Sequence, residues 1–459
     1  MQANSPVPLE PQSKSLHAFL SDLFQALDRE GLRPCILRNY EGFPDVNLGN
    51  DIDFFIRPSE LARAMRALGS LDGIRIVGYS ERHYVACVFL EGVSPAPGIR
   101  TLHIDFNLSL SWKGLPYLTT EIVLRTVIER QAGDLNFFVP CPVHQAILSL
   151  LASLLVAGSL KEKYFPQVQQ TFAKGSPEAI DALRPQFGLK AATRVVNSVI
   201  DGDRRKVLNC IRPLRDSLAL RSLARKPIRS TLAVVRHYTR EFAIRFSPRT
   251  LETVCILGVE SDRKAAVIEA LKPMLQSAAV WMESDPSGLR LPLVGRSRGT
   301  VPSGHSSAQE PAGWLASMSH MVLWLIEDWL DQFIGRTNLT LRISGSSFAD
   351  LLIDPKKYRY GGPMGFARLV GKLFPAPDLW ILLDRAAEGS QASREALFAE
   401  AARRLEAYRS FVKTQKHYVI LDASESASTV TESAYAAIIE TLTERVDRKL
   451  RNRFGSRRS

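Results

Sequence analysis

The sequence is poor in the residues that build disulfide frameworks and zinc sites. Only five of its 459 residues are cysteines and only eight are histidines. The cysteines are scattered, with no Cys-x-x-Cys pair, which excludes the ligand spacing of a zinc finger and predicts free thiols in a reducing compartment, the cytoplasm. They are Cys35, Cys87, Cys141, Cys210 and Cys255.

Long apolar runs are also missing. The longest, Ala146 to Ala157, is interrupted by Ser149 and Ser153 and is too short to span a bilayer. The stretch from Met1 to Lys14 is rich in Pro, Gln and Ser and has no apolar signal core. We therefore expect a disordered N-terminus over residues 1–15, no transmembrane segment, and a cytoplasmic protein.

Acidic residues are outnumbered by basic ones, 47 against 59, which gives a net charge of +12. This excess favours phosphate-bearing partners but does not choose among nucleotide, nucleic acid and membrane surface. Many basic residues lie in the helical stretch over residues 171–249 and in the tail over residues 446–459. Aromatic residues are few there, which argues against single-stranded nucleic acid. The pattern favours a solvated helical connector, with contact to an anionic membrane surface through these basic segments as the functional alternative.

The strongest local signal is the pair Asp51 and Asp53, which precedes the apolar run Phe54-Phe-Ile56. Side chains alternate across a strand, so both aspartates point to one face. A third carboxylate, Asp105, is predicted on the polar face of a strand over residues 100–108. Two carboxylates from one strand and one from a neighbour can hold Mg²⁺ or Mn²⁺ for phosphate chemistry. The alternative is that the aspartates only satisfy local backbone groups.

Periodicity predicts the elements around these acids. Apolar residues at helical spacing predict a helix from Leu16 to Arg29, and another from Pro142 to Ala157. Pro34 to Asn39 is predicted as a strand, and the Gly- and Pro-containing stretch from Gly92 to Gly98 as a loop. Three histidines beside apolar runs are candidates for ligands or bases, although such residues are more often structural. These are His83, His103 and His144.

Three short runs resemble the nucleotidyltransferase superfamily, in particular its uncharacterised bacterial type. They are Leu37-Arg-Asn-Tyr40, Gly49-Asn-Asp51-Ile-Asp53-Phe-Phe and Leu102-His-Ile-Asp105-Phe, and the resemblance covers residues 16–170. It implies that Asp51 and Asp53 bind metal, and that Asp105 binds metal and helps to deprotonate an acceptor. Arg38-Asn39 stands where many members have a Gly-Ser turn that cradles phosphates. The nucleotide-binding residues implied in this domain are Arg38, Asn39, Gly49 and Asn50.

A second domain begins with an apolar run that leads into Gly258, and Lys264 follows six residues later, in the register of a P-loop. In a working loop, a Ser or Thr after the lysine holds Mg²⁺ and glycines let the backbone wrap the phosphates. Here Ala265 follows the lysine and Asp262 would repel a phosphate. The sequence therefore predicts a disabled loop and a pseudokinase.

Residues 250–445 resemble thymidylate kinase-like P-loop proteins. The resemblance is carried by the run from Leu341 to Tyr360, by Pro377-Asp-Leu-Trp-Ile-Leu-Leu-Asp384 and by Tyr418-Val-Ile-Leu-Asp422. The family's Asp-Arg pair falls on Gly345-Ser346, and its lid pair is half kept as Ser393-Arg394. By resemblance, the nucleotide-binding positions would be Gly258, Lys264 and Arg394.

Together these patterns predict an α/β protein with a mixed-sheet N-terminal domain, a helical connector and a parallel-sheet C-terminal domain. The preferred hypothesis is transfer of a nucleotidyl group from an NTP to an unknown acceptor, beside a degenerate kinase-like domain. The resemblances imply a setting in surface-polysaccharide biosynthesis. One alternative is a nucleoside, nucleotide or sugar kinase that works through Lys264. The other is a non-catalytic nucleotide-binding or scaffolding protein.

Overall fold

The fold was analysed in a computed structural model, which describes residues 13–45, 51–96, 99–245, 251–279, 281–285, 313–335, 340–385 and 395–455. It confirms the α/β class, with helices and strands interspersed along the chain. The chain divides into two compact units, built mainly from Pro11–Ala243 and from Ile244–Arg453. We call them the N-terminal unit and the C-terminal unit.

The N-terminal unit is organised on a mixed sheet. Its strands are β1 (Lys14–Ser15), β2 (Cys35–Ile36), β3 (Asp51–Phe55), β4 (Arg75–Glu81), β5 (Val85–Ala96), β6 (Ile99–Asn107), β7 (Leu110–Trp112), β8 (Leu115–Leu118), β9 (Val127–Ala132) and β10 (Leu135–Pro140). They pair in the order β1-β5-β6-β3-β2-β10-β9, with β4 paired to β5, while β7 and β8 form a separate hairpin.

Two helices, α1 (Leu16–Arg29) and α2 (Leu61–Gly69), also belong to this unit. The predicted first helix is confirmed at both ends, and the Ser15 hydroxyl caps it by accepting from the Ala18 N–H at 3.2 Å. The aromatic ring of Phe54 on β3 contacts Phe24 of α1 and Phe106 of β6, with ring centroids 6.4 and 5.6 Å away. This aromatic contact fixes which face of β3 turns toward α1.

The helices that follow the sheet share one apolar core with its opposite face. Phe55 of β3 is fully buried in the same cluster as Phe172, Val196 and Leu214. Side chains between Phe172 and Leu218, within the range 171–249 predicted to be a connector, therefore contribute to this core. The helices are α3 (Thr120–Arg125), α4 (Pro142–Leu151), α5 (Phe165–Lys174), α6 (Ser176–Phe187), α7 (Leu189–Ile200), α8 (Arg204–Asn209), α9 (Ile211–Arg225) and α10 (Pro227–Arg245).

Several element boundaries differ from those predicted. The helix predicted over Pro142 to Ala157 is α-helical only to Leu151 and continues as a π-helix over Ala152–Ala157. Strand β2 covers only Cys35–Ile36. Lys14 and Ser15, placed in the N-terminal disordered stretch by the sequence, pair with β5.

The predicted loop from Gly92 to Gly98 is wrong over its described part, because β5 continues to Ala96. Gly92 adopts a φ of +95°, and a Cβ at this position would lie 2.2 Å from the Gly73 carbonyl oxygen. The strand does not end at Gly92; its register against β6 shifts between Glu91 and Ala96.

The C-terminal unit contains an all-parallel sheet in the order β12-β13-β11-β14-β15. Its carboxyl ends all meet at one edge, where ligands bind in open parallel sheets. The strands are β11 (Leu251–Leu257), β12 (Trp281–Asp285), β13 (Thr340–Ser344), β14 (Leu379–Asp384) and β15 (Tyr418–Asp422). The helices are α11 (Ser261–Met274), α12 (Trp314–Gly335), α13 (Phe348–Ile353), α14 (Met364–Gly371), α15 (Glu395–Lys413) and α16 (Ala427–Phe454).

Helix α16 runs as far as Phe454, so much of the basic tail predicted over residues 446–459 is helical. Among the residues that the structure describes, none of the helices combines the length and the apolar character needed to cross a bilayer.

Candidate metal and nucleotide site

Strands β3 and β6 are parallel neighbours, and their register brings the three predicted acids together. Asp53 lies opposite Asp105, and Asp51 lies opposite His103. Because Phe54 faces α1, alternation turns both β3 aspartates to the opposite side of the sheet. One carboxylate oxygen from each of Asp51, Asp53 and Asp105 lies within 4.8 Å of those of the other two. The three side chains thus form one acidic cluster.

The chain after β2 brings Arg38 and Asn39 to this cluster. The Leu37 N–H donates to the Asp53 carbonyl oxygen at 2.8 Å, which places the next side chain beside the acids. The Arg38 Nε forms an ion pair with the Asp53 carboxylate, and Asn39 Nδ2 donates to Asp51 Oδ1 at 3.2 Å. Asn39 has a φ of +63°, a left-handed conformation that asparagine adopts more readily than most residues. These two residues therefore form a turn that contacts the acids directly.

Two further polar side chains complete the surroundings. Asn107 Nδ2 donates to Asp53 Oδ1 at 3.1 Å, and the Tyr164 hydroxyl donates to Asn39 Oδ1 at 3.4 Å. Alternation along β6 places Asn107 on the same polar face as Asp105, so its position near the cluster could be predicted from the sequence. Tyr164 ends the run Leu160-Lys-Glu-Lys-Tyr164, which resembles the segment that follows the catalytic core of nucleotidyltransferases, but its contact with Asn39 depends on the fold.

Burial and neighbouring charges shift the pKa values of several side chains in the cluster. Burial, together with the neighbouring Asp53 charge, raises the pKa of Asp51 above its ordinary value. Burial alone would raise the pKa of Asp105 too, but the adjacent His103 holds it below the usual range. The Asp105 carboxylate in turn outweighs the effect of burial on His103 and raises the pKa of that imidazole. Asp105 is therefore held as a carboxylate, whereas ionisation of Asp51 is opposed.

The residues fit a hard divalent cation. Asp105 Oδ1 is buried and lies 2.8 Å from His103 Nε2. The three aspartates together offer carboxylate oxygens within one small volume. Carboxylate oxygens are the ligands that Mg²⁺ and Mn²⁺ prefer. The ion pair between Arg38 and Asp53 competes with such an ion, and so do the hydrogen bonds from Asn39 and Asn107.

Some predicted positions cannot be placed at a site. Gly49 and Asn50, which precede β3, lie outside the described residues, and so does Arg394, which precedes α15. The positions Gly258 and Lys264 are described, and they lie in the C-terminal unit.

The turn after β11 is short. Only Gly258, Val259 and Glu260 separate the strand from α11, and the Lys264 N–H donates to the Glu260 carbonyl oxygen. Gly258 has a φ of +156°, and a Cβ there would lie 3.2 Å from the Leu383 carbonyl oxygen, so a larger residue would require a small shift of its neighbour. The Glu260 carboxylate lies 3.4 Å from the Arg385 guanidinium. An acidic side chain thus stands beside the turn where a phosphate would approach.

The Lys264 side chain is turned inward. The residue is only 3% exposed, and burial lowers the pKa of its ammonium group, although the Asp350 carboxylate opposes that shift. Asp350 is itself 1% exposed, and it accepts hydrogen bonds from the Ser347 N–H at 2.6 Å and from the Tyr408 hydroxyl. Lys264 therefore faces a carboxylate that caps α13 in the protein interior.

A cavity of about 610 Å³ opens elsewhere in the C-terminal unit. Aromatic side chains such as Trp324 and Phe348 line it, together with the charged side chains of Glu327 and Arg342. Neither Gly258 nor Lys264 contributes to its wall, so this space is separate from the P-loop-like turn.

No protein-family model matches the chain, and a comparison with curated proteins gives no match. The resemblances to nucleotidyltransferases and to thymidylate kinase-like proteins therefore stay predictions, and the functional argument rests on the geometry of the acidic cluster.

Proposed function

We propose that the N-terminal unit is a metal-dependent, nucleotidyltransferase-like enzyme. It would transfer a nucleotidyl group from an NTP to a hydroxyl or phosphate acceptor. The observation that carries the proposal is the convergence of Asp51, Asp53 and Asp105 within 4.8 Å on two parallel strands. Carboxylates so close repel one another and oppose folding, and such groups cluster at sites where a cation or a reaction uses them.

The three aspartates would hold Mg²⁺ or Mn²⁺. When bound, such an ion orients the triphosphate and lowers the pKa of an acceptor hydroxyl. The acceptor oxygen would form a bond to the α-phosphorus as the bond to the bridging oxygen breaks, and pyrophosphate would leave. Asp105 would take the acceptor proton, because His103 keeps it ionised.

Arg38 would have two partners in turn. Without a nucleotide it neutralises Asp53, and its side chain is still 30% exposed. Guanidinium groups bind phosphate oxygens through paired N–H donors. Arg38 would therefore serve twice, as the counterion of Asp53 and as a donor to the triphosphate.

A non-catalytic role is the second candidate, because both carboxylate oxygens of Asp53 already have partners in the protein. Oδ2 contacts Arg38 and Oδ1 accepts from Asn107, so Asp53 needs no metal for its own stability. In that case the cluster is a buried polar network that fixes the β2–β3 turn, and the protein binds nucleotide or another partner without turnover.

The deciding experiment uses the full-length chain with each common NTP and either Mg²⁺ or Mn²⁺. Pyrophosphate release is measured with water as the default acceptor. We expect metal-dependent release that falls at least about 100-fold in Asp105→Asn. Asp28→Asn, at an exposed position of α1, should match the unmodified chain. Release undiminished in Asp105→Asn, or absent with every NTP and both ions, would reject the enzyme in favour of the non-catalytic role.

A further inference from the structure

A second cluster of potential ligands lies away from the three aspartates. His83 belongs to the turn between β4 and β5, whereas His237 and Glu241 lie one helical turn apart on α10. One ligand atom from each residue lies within 4.8 Å of those from the other two. Residues four apart on a helix face the same side, so α10 presents an imidazole and a carboxylate together to the turn.

The distance between the two imidazoles fits a shared cation better than a direct bond. The Nδ1 atoms of His83 and His237 are 3.5 Å apart, at the outer limit of a hydrogen bond. Two nitrogens at 2.0–2.1 Å from a tetrahedral Zn²⁺ would be separated by about 3.4 Å. The rings are also inclined at 75° to each other, so they are not stacked.

An unpartnered atom at the cluster provides a second, independent observation. Glu241 Oε1 is buried and has no hydrogen-bond partner in the described part of the structure. The other carboxylate oxygen of Glu241 accepts from Arg82 Nη1 at 3.1 Å. A hydrogen bond to one oxygen of a carboxylate, with the second oxygen left for a metal, is the usual arrangement around bound cations.

Two of the cations near the cluster are paired with carboxylates. Arg82 contacts Glu241, and Arg240 Nη2 lies 2.9 Å from the Glu81 carboxylate.

Helix α10 presents several large apolar side chains to solvent. Ile228, Leu232 and Val235 are between 51% and 76% exposed. Val234 packs against the apolar core of the unit, and the helix approaches the β7–β8 turn at Gly114, where a Cβ would lie 2.5 Å from the Ala233 carbonyl oxygen. The histidine cluster is a further place where the helix meets another part of the unit.

We propose that His83, His237 and Glu241 form a binding site for a divalent transition metal of the zinc class, which clips α10 to the β4–β5 turn. Two imidazoles and one carboxylate are a donor set that zinc accepts, with a fourth position left for water. The site is independent of the proposed nucleotidyl transfer.

The test uses the full-length chain, stripped with a chelator and titrated with Zn²⁺ against a chromophoric competitor. We expect one tight Zn²⁺ equivalent, a raised Tm, and the visible absorption of a four-coordinate site when Co²⁺ is used. Affinity should fall at least about 10-fold in His237→Gln and in Glu241→Gln. It should be unchanged in His17→Gln, on α1, and in Asp105→Asn, which removes the acidic cluster as the source of the signal.

A measurement on the unmodified chain covers the case in which a variant fails to fold. Zn²⁺ should protect His83 and His237 from acylation by diethyl pyrocarbonate, read by mass spectrometry, while His17 stays reactive. The proposal is overturned if no Zn²⁺ binds, if neither histidine is protected, or if Asp105→Asn abolishes the binding.

Discussion

Asp53 and Asp105 lie directly opposite each other on the adjacent parallel strands β3 and β6. Asp53 is 2% exposed and has Arg38 as its counterion, whereas Asp105 has His103 beside it. The two carboxylates thus carry different partners at one level of the sheet. The different partners of these carboxylates, and the raised pKa of Asp51, predict how substitutions in the cluster change stability and metal binding.

Asp51→Asn should stabilise the metal-free protein while it weakens metal binding. Burial and the Asp53 charge raise the pKa of Asp51, so its ionised form opposes folding at any pH above that pKa. An amide removes the charge and can keep the contact with Asn39. We expect the free energy of unfolding in a chelator to rise by up to about 1 kcal/mol, and Mn²⁺ affinity to fall. Urea denaturation and Mn²⁺ titration measure the two effects, and Asp28→Asn is the exposed control. A variant with lower stability and unchanged Mn²⁺ affinity would contradict the role.

Arg38→Gln should make folding depend on metal. The substitution leaves the buried Asp53 carboxylate without its counterion, which costs about 1–3 kcal/mol, with the lower end expected because Arg38 is partly exposed. A divalent ion can replace the lost charge. Thermal unfolding in a chelator and in Mg²⁺ should therefore show a larger Mg²⁺-induced rise in Tm for the variant than for the unmodified chain. Equal rises would indicate that no ion reaches Asp53.

Cys141 should be the most reactive thiol of the N-terminal unit near neutral pH. Although burial acts in the opposite direction, contacts with His144 lower the pKa of Cys141 to about 7, whereas burial raises the pKa of Cys35 and of Cys87. Since the thiolate is the nucleophile, alkylation by iodoacetamide should be half-maximal near pH 7. Peptide mapping across pH 5–9 identifies the site. In His144→Gln the midpoint should move to higher pH, and an unchanged midpoint would reject the assigned cause.

Lys264→Met should leave NTP turnover unchanged within about 2-fold. Lys264 is buried against Asp350, which keeps its hydrogen bonds from Ser347 and Tyr408. A methionine of similar length can fill the same space without a charge to desolvate. Pyrophosphate release and phosphoryl transfer are measured on the same preparation. Loss of turnover in this variant, with turnover intact in Asp105→Asn, would favour the kinase alternative.

Leu214→Ala should destabilise the protein by about 2–5 kcal/mol, because Leu214 is fully buried in the core that also contains Phe55 of β3. Leu220→Ala on the same helix is the matched control, since Leu220 is 68% exposed and its truncation should cost less than about 0.5 kcal/mol. Chemical denaturation measures both. Similar small effects would mean that α9 is the solvated connector predicted from its charge.

The basic helices show why charge density alone did not predict packing. Helix α9 carries four arginines, yet Leu214 and Leu218 lie on one face four residues apart and are completely buried. The composition of a helix describes all of its faces together, whereas packing buries only one of them. The loop predicted from Gly92 onward failed for a similar reason, because a glycine inside a strand and a glycine in a loop look alike until the neighbouring strand is known.

Alternation within strands determined which side chains of β3 and β6 share a face, so the sequence alone placed three carboxylates on polar strand faces. It also determined α1, because apolar residues at helical spacing require one buried side. Only the tertiary structure decided that β3 and β6 are parallel neighbours in a register that sets Asp53 against Asp105. The contacts of Arg38, Tyr164, Lys264 and the His83 cluster were likewise decided by the fold. Each of these joins residues far apart in the chain, and long-range pairing depends on how whole faces pack rather than on any local pattern.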